Sequence, residues 1–213
     1  MANGTDGGAG MKIAIMVEGK TEKAFMPFLR EFLRARLANS MPNIDTVPYD
    51  GRIPKADKLK RCVENLLSCG KRSADAVIAL TDVYTGTNDF SNAQDARKKM
   101  QEWVGKQSNF YPHVAQHDFE AWLLPYWSDI QRLAGSNRTQ PGGNPENVNH
   151  QKPPSRLLNE VFLNGLKGKG YVKERDAARI LRSKDLLVSI NACGELKSFV
   201  NTILVLCGSS PIP

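Results

Sequence analysis

The sequence lacks several features that mark common classes of protein. Its 4 cysteines form no C-x-x-C pair and have no nearby histidine at zinc-finger spacing, so we expect reduced thiols and no zinc site. No apolar run approaches the roughly 20 residues that cross a bilayer, and no membrane span is expected. A glycine-rich phosphate loop is also missing, which argues against a small-molecule phosphatase or a nucleotide-binding regulator.

The N-terminal segment, residues 1–10, is rich in glycine and lacks the apolar stretch of a secretory signal. We expect it to be a disordered tail. Because nothing in the cysteine usage or in this segment suggests export, the cytoplasm is the expected compartment.

The chain carries a formal net charge of +7, and most of the excess lies from Arg138 onward. A basic surface attracts polyanions, and nucleic acid is therefore a candidate partner. A solvated helical surface with no ligand would give the same composition, so charge alone leaves both interpretations open. The basic residues that we assign to nucleic-acid binding are Arg156, Lys167, Lys169 and Lys173.

Apolar runs alternate with helical stripes along residues 11–134. The runs at 12–17, 44–49, 76–81 and 111–116 have the length and composition of buried strands. Between them, apolar residues recur at helical spacing, as in 25–37 and 59–67. This alternation predicts an α/β domain with a mainly parallel four-stranded sheet and helices on both faces.

The alternation stops after Leu133. Residues 135–154 are rich in Gly, Asn, Gln and Pro, which predicts a mobile loop. Short apolar stripes then return within 155–213, and they predict a basic C-terminal helical lobe packed on the same domain.

Acidic residues follow three of the predicted strands. Glu18 comes after the first strand, Asp82 ends the third, and Asp118 and Glu120 follow the fourth. In parallel sheets, the loops beyond the carboxyl ends of the strands hold the ligand, so we expect these carboxylates to converge. Hard cations prefer oxygen ligands, and the pattern predicts a Mg²⁺ or Mn²⁺ site that also includes Glu22. Glu22 and Asp118 equally fit the acidic positions common at helix N-termini.

Three motifs resemble known sequences. MKIAIMVEGKTE resembles the opening of the Toprim (topoisomerase-primase) domain, and ALTDVY resembles its later acidic strand end. YPHVAQHDFEAWLL is similar to a bacterial Toprim-like family long labelled only as a domain of unknown function. Pro145-Glu146, Asn149 and Pro154-Ser155-Arg156-Leu157 resemble the downstream block of that family, so the likeness extends from Met11 to about Ile203.

The resemblance implies roles for individual residues. Glu18 matches the Toprim glutamate, which serves as metal ligand or general acid/base, and Asp82 matches the first acid of an Asp-x-Asp metal pair. The second acid is replaced by Tyr84, so Asp118 or Glu120 would have to complete the site.

Two basic residues near the acids have open roles. Lys20 could neutralise a phosphate or lie along the first helix. His117 could act in proton transfer or hydrogen-bond to backbone as a hinge between strand and helix. We assign both as catalytic candidates beside Glu18, and the hinge interpretation of His117 stays equally open.

The function implied by the resemblance is a metal-dependent nuclease that hydrolyses phosphodiester bonds in DNA or RNA. Members of the family are commonly paired with an AAA-type ATPase, which implies that partner and a role as effector of a bacterial anti-phage defence system. A non-catalytic regulatory or binding module of the ATPase complex is the alternative, and Tyr84 in place of an acid favours it. A homo-oligomer remains open.

Overall fold

The structure is a computed structural model that describes residues 10–49, 51–68, 70, 73–83, 89–148, 152–166 and 168–213. The expected tail, apart from Gly10, lies outside the described residues, as do Tyr84 and Lys167. Within the described part of the chain, no helix is long and apolar enough to span a membrane.

Four parallel strands form the sheet. They are β1 (Lys12–Val17), β2 (Asn43–Pro48), β3 (Ala76–Asp82) and β4 (Phe110–Ala115), in the order β2-β1-β3-β4. β1 and β3 are buried on both faces, which explains their nearly continuous apolar sequences. The parallel four-stranded sheet predicted from the sequence is confirmed.

Helices cover both faces of this sheet. α1 (Lys20–Leu37) lies on one face, and α2 (Ala56–Ser68) and α3 (Ala93–Val104) lie on the other. Successive side chains of a strand point to opposite faces, so Ile13 and Ile15 pack with α1 while their neighbour Ala14 packs with α2 and α3. Each face of the sheet therefore has its own core.

The segment after β4 is a 3-10 helix, Phe119–Tyr126, followed by α4 (Trp127–Ala134). This segment differs in type from the α-helices that cover the sheet. Pro125 has no N–H with which to continue an α-helical ladder, which is consistent with the tighter turn and the restart at Trp127.

The segment 135–154, predicted to be a mobile loop, contains a short 3-10 helix, Pro145–Asn147, with a buried carboxylate. Glu146 accepts hydrogen bonds from Trp122 Nε1 at 3.0 Å and from the backbone N–H of Glu195 at 3.1 Å. The mobility of the loop stays a prediction, but this contact fastens it to the core.

The C-terminal lobe contains α5 (Pro154–Leu163), α6 (Lys173–Leu181), α7 (Leu186–Ala192) and α8 (Gly194–Leu206). Its apolar side chains join the core on the α1 side of the sheet, and α6 packs directly against α1. The lobe therefore completes the α/β body, and it brings the start of α6 close to the end of β1.

Candidate metal centre

The site lies where the strand order reverses. From β1 the chain passes outward to β2 and then returns to the other side of β1 to form β3. Ligands of open parallel sheets bind in the crevice at the carboxyl ends of the two strands that flank such a reversal. Glu18 follows β1 and Asp82 ends β3, so both acids lie at this crevice.

Five carboxylates share the crevice, and four of them are almost fully buried. The exposed fractions are 5% for Glu18, 5% for Glu22, 3% for Asp118 and 0% for Glu120, while Asp82 is partly buried. Charged carboxylates are rarely withdrawn from water without a partner, because their desolvation is costly. This degree of burial distinguishes the group from ordinary surface acids at helix ends.

Hydroxyl and amide donors orient three of the carboxylates. The register that pairs Val17 with Leu80 places Glu18 beside Thr81, whose hydroxyl donates to Glu18 Oε1. Thr21 Oγ1 donates to Glu120 Oε1 at 3.3 Å. These donors lie on β3 and α1, and the donor to the third carboxylate, Asp118, lies on α5.

Asp118 occupies the N-cap position of the 3-10 helix, but its side chain makes no capping hydrogen bond there. Asp118 Oδ2 instead accepts a hydrogen bond from the backbone N–H of Ser155, at the start of α5, at 3.0 Å. The C-terminal lobe therefore holds one oxygen of this carboxylate, which caps the first turn of α5, while the other oxygen, Oδ1, has no hydrogen-bond partner among the described residues.

Burial and mutual repulsion raise the pKa of these acids. Burial, with a further contribution from Glu22, raises the pKa of Glu18 to about 7. Burial and Asp118 raise the pKa of Glu120 to about 8. The pKa of Asp82 rises well above its usual value through burial and through the charges of the other four carboxylates, so all five are in electrostatic contact.

A lysine from the C-terminal lobe partly neutralises the group. Lys173 Nζ lies 3.5 Å from Glu120 Oε1. Burial by itself would lower the pKa of Lys173, but carboxylates including those of Glu120 and Asp82 outweigh burial and raise it. The sequence assigned Lys173 to nucleic-acid binding, and the structure places its ammonium group within the acidic site.

The side chains fit a hard divalent cation in their chemistry. Asp82 Oδ1, Asp118 Oδ1 and Glu120 Oε2 are buried oxygens that accept no hydrogen bond from the described residues. Such unpaired oxygens are the ligands that Mg²⁺ and Mn²⁺ prefer. Over the same residues, no group of three or more His, Cys, Asp and Glu side chains is already arranged to hold a metal ion. Binding would therefore require the carboxylates to close around the ion and Lys173 to move aside.

His117 and Lys20 differ strongly in exposure. His117 is completely buried and has a left-handed backbone, φ 69°, in the turn that leads from β4 to Asp118 and Glu120. That conformation is unusual for a residue with a side chain, which identifies His117 as a turn residue. Lys20 is exposed in the first turn of α1. For Lys20, the catalytic role and the alternative of packing along the helix both stay predictions.

The other basic residues assigned to nucleic-acid binding lie apart from the carboxylates. Arg156 Nε is 3.9 Å from Glu160 Oε1, one helical turn further along α5. Lys169 is exposed near Arg175 and Arg179, and Lys167 is outside the described residues. Of the members of this group that the structure describes, only Lys173 contacts the acidic site.

Comparison with known proteins identifies the family. Residues 17–204 match the family described as "Domain of unknown function (DUF4276)". The chain belongs to this family. A search of curated proteins gave no significant match.

Two solved structures resemble this member of DUF4276. The C-terminal region of the Burkholderia pseudomallei OLD protein aligns with a TM-score of 0.54 at 13% identity, covering 93% of this chain and 98% of that one. The C-terminal region of the Xanthomonas campestris pv. campestris OLD protein aligns with a TM-score of 0.41 at 13% identity, covering 91% and 98%. At such low identity the first likeness shows the fold alone, an α/β architecture that agrees with the four-stranded parallel sheet and helices predicted from the sequence.

Sequence reasoning missed several residues that build the site. Thr21 and Thr81 had no signal beyond their positions next to predicted acidic residues. Ser155 belonged to the downstream block that resembles the family, and its contact with Asp118 gives that block a physical role. The position of Lys173 could not be found from local patterns, because it depends on how α6 packs against α1.

Proposed function

We propose that this protein is a metal-dependent nuclease with a Toprim-like fold that hydrolyses phosphodiester bonds in DNA or RNA. One observation carries the proposal: five carboxylates from separate segments meet at the switch point of the sheet, and three of their buried oxygens have no hydrogen-bond partner among the described residues. A nuclease site of this kind needs a cluster of hard oxygen ligands.

In this proposal Glu18, Glu22, Asp82, Asp118 and Glu120 would hold Mg²⁺ or Mn²⁺. The cation would polarise the phosphate and lower the pKa of the attacking water. Thr81 and Thr21 orient Glu18 and Glu120, and the N–H of Ser155 orients Asp118. Burial raises the pKa of Glu18 in the metal-free protein to about 7, so a bound cation, which favours the ionised carboxylate, would displace its proton.

The resemblance of the sequence motifs to the Toprim-like family also supports a proposal about the partner and the cellular role of the protein. It implies an AAA-type ATPase partner and a role as the effector of bacterial anti-phage defence. We extend the proposal to that role, in the cytoplasm, and expect the ATPase to control the nuclease.

A non-catalytic regulatory module is the second candidate, and Lys173 is the observation that favours it. A lysine that already neutralises the acidic group could allow the carboxylates to persist without any metal. Tyr84 in place of the second acid also favours the regulatory module.

Cleavage assays separate the two candidates. Supercoiled plasmid, single-stranded DNA and RNA are incubated with the protein and Mg²⁺ or Mn²⁺, with and without a candidate AAA-type ATPase partner. The nuclease proposal expects metal-dependent cleavage that falls at least 100-fold in Glu18→Gln and Asp82→Asn, while the exposed control Glu31→Gln cleaves normally. If metal binds and no substrate is cut even with the ATPase present, the regulatory module is the correct function.

A further inference from the structure

A cleft of about 550 Å³ opens directly beside the carboxylates. Gly19, which follows Glu18, and Lys173, which contacts Glu120, both line it. Lys20, Lys23 and Tyr49 also line the cleft. The cleft therefore lies next to the acidic site, although the five carboxylates are not among its lining residues.

The cleft concentrates positive charge that is free to bind a ligand. Lys20 and Lys23 are three residues apart on α1, so their side chains lie on the same side of the helix. Both are exposed, and neither pairs with an acidic side chain of the described residues. Arg52, Lys55 and several other basic residues, by contrast, are held in ion pairs. Glu174 is the carboxylate that also lines the cleft.

Two helices begin at the cleft and add to the positive potential. α1 starts at Lys20 and α6 starts at Lys173, and neither N-cap residue supplies a side-chain cap, although Glu22 interacts with the N–H of Gly19 and Asp176 accepts a hydrogen bond from the N–H of Val172. Free N–H groups at a helix N-terminus, together with the helix dipole, favour a phosphate oxygen. The lysines and both helix ends therefore favour the same kind of ligand, a chain of phosphates.

The size of the cleft limits the form of that ligand. Its volume falls within the range of small-ligand pockets, roughly 300–1,000 Å³. A few nucleotides of one strand fit such a space, whereas a duplex would have to open first. Tyr49 lies at the end of β2 and supplies an aromatic wall against which a base can stack.

We propose that this cleft, formed by Lys20, Lys23, Tyr49 and Lys173, binds a single-stranded segment of nucleic acid and leads its phosphates to the carboxylates. This inference rests on the proposed nuclease function and specifies its substrate as an unpaired strand or a strand end. Lys20 and Lys23 bind the backbone, and Tyr49 contacts a base.

The test measures binding in EDTA, so that it does not depend on cleavage. Fluorescence anisotropy with a labelled 12-nucleotide single strand compares the full-length protein with Lys20→Gln/Lys23→Gln. The matched control, Lys60→Gln/Lys106→Gln, removes the same charge from two exposed lysines that lie outside the cleft and pair with no described acidic side chain. We expect the cleft variant to bind about tenfold more weakly and to show a smaller salt dependence, because each lost phosphate contact removes about 0.7 from the slope of log K against log salt.

The possible outcomes distinguish this inference from the nuclease proposal. Tenfold weaker binding of the cleft variant with a control within twofold of the wild type supports the cleft. Equal binding by both variants, no binding by the wild type, tighter binding of a 12-base-pair duplex, or equal affinity for a mononucleotide would each overturn it. If the wild type binds the strand through these lysines and yet cuts nothing with Mg²⁺ or Mn²⁺, the cleft survives and the nuclease proposal fails.

Discussion

Lys173 Nζ lies 3.5 Å from Glu120 Oε1, so a residue of the C-terminal lobe supplies positive charge to an acidic site built at the ends of the strands. The lysine side chain is 54% exposed, whereas the side chain of Glu120 is completely buried. The ammonium group can therefore leave toward solvent more easily than the carboxylate can. We interpret Lys173 as the resident counter-charge of the metal-free protein.

Replacing Lys173 with Gln tests this interpretation. In the absence of metal, we expect the variant to unfold at a lower temperature, because the carboxylates lose their only close cationic partner among the described residues. The pair is half-exposed, so the loss should be about 1 kcal/mol, or a few degrees in Tm. Mn²⁺ should then stabilise the variant more than it stabilises the wild type, because the ion no longer competes with an ammonium group.

The control is Lys169→Gln, which removes an exposed charge from the same lobe. Thermal unfolding with and without Mn²⁺ measures both effects. An identical metal-induced shift in the Lys173 variant and the wild type would show that the lysine does not compete with the ion.

The raised pKa values predict an unusual pH dependence of stability. A carboxylic acid with a pKa of about 7 or 8 in the folded state, as for Glu18 and Glu120, holds its proton more tightly there than in the unfolded chain, where its value is near 4.5. Its stabilising contribution is complete below pH 4.5 and is lost as the pH rises toward 8. The metal-free protein should therefore be a few kcal/mol less stable at pH 8.5 than at pH 6.

The effect of His113 on the pH dependence of stability is opposite to that of the two glutamates. Burial and the nearby charge of Arg97 lower its pKa to about 4, so its contribution to stability is lost as the pH falls below 6.5. Denaturant titrations of the metal-free protein should show stability falling from pH 4.5 to 8.5, and falling less steeply below pH 6.5, where His113 opposes the two glutamates. Excess Mg²⁺ should reduce the loss of stability above pH 7. Metal-free stability that rises steadily from pH 6 to 8.5 would contradict the account.

Glu146 is predicted to stabilise the fold rather than to act in chemistry. It joins the 135–154 loop to Trp122 and to the first turn of α8 through buried hydrogen bonds. Glu146→Ala should lower the free energy of unfolding by about 3 kcal/mol, because buried donors lose a charged acceptor. Glu146→Gln should cost less, since its amide oxygen can still accept from Trp122.

Urea denaturation measures these differences, and Glu174→Gln serves as an exposed control. If Glu146→Ala is as stable as the control, the buried hydrogen bonds do not hold the loop as described.

The strands and the acidic ends of the strands could be predicted from the sequence because the physical signal is local. β1 and β3 are continuous apolar runs that end at an acid, and parallel pairing places such ends together. Glu18 and Asp82 could therefore be assigned to one crevice before any coordinates were known.

The rest of the site depends on tertiary packing that local patterns do not encode. The N–H of Ser155 reaches Asp118 only because α5 folds back on the 3-10 helix, and Lys173 reaches Glu120 only because α6 packs on α1. In the sequence, Lys173 is one of several basic residues in a basic lobe, and its charge suggested a surface role. The same packing explains why the lobe could be predicted as helical while its contribution to the site could not.

The central claim is that the five carboxylates share a divalent cation, and a calorimetric Mn²⁺ titration tests it most directly. The account predicts binding by the wild type that is lost or weakened at least tenfold in Glu18→Gln, Asp82→Asn and Glu120→Gln, and that is unchanged in the exposed control Glu31→Gln. No Mn²⁺ binding by the folded wild type, or equal binding by all of these variants, would contradict the account.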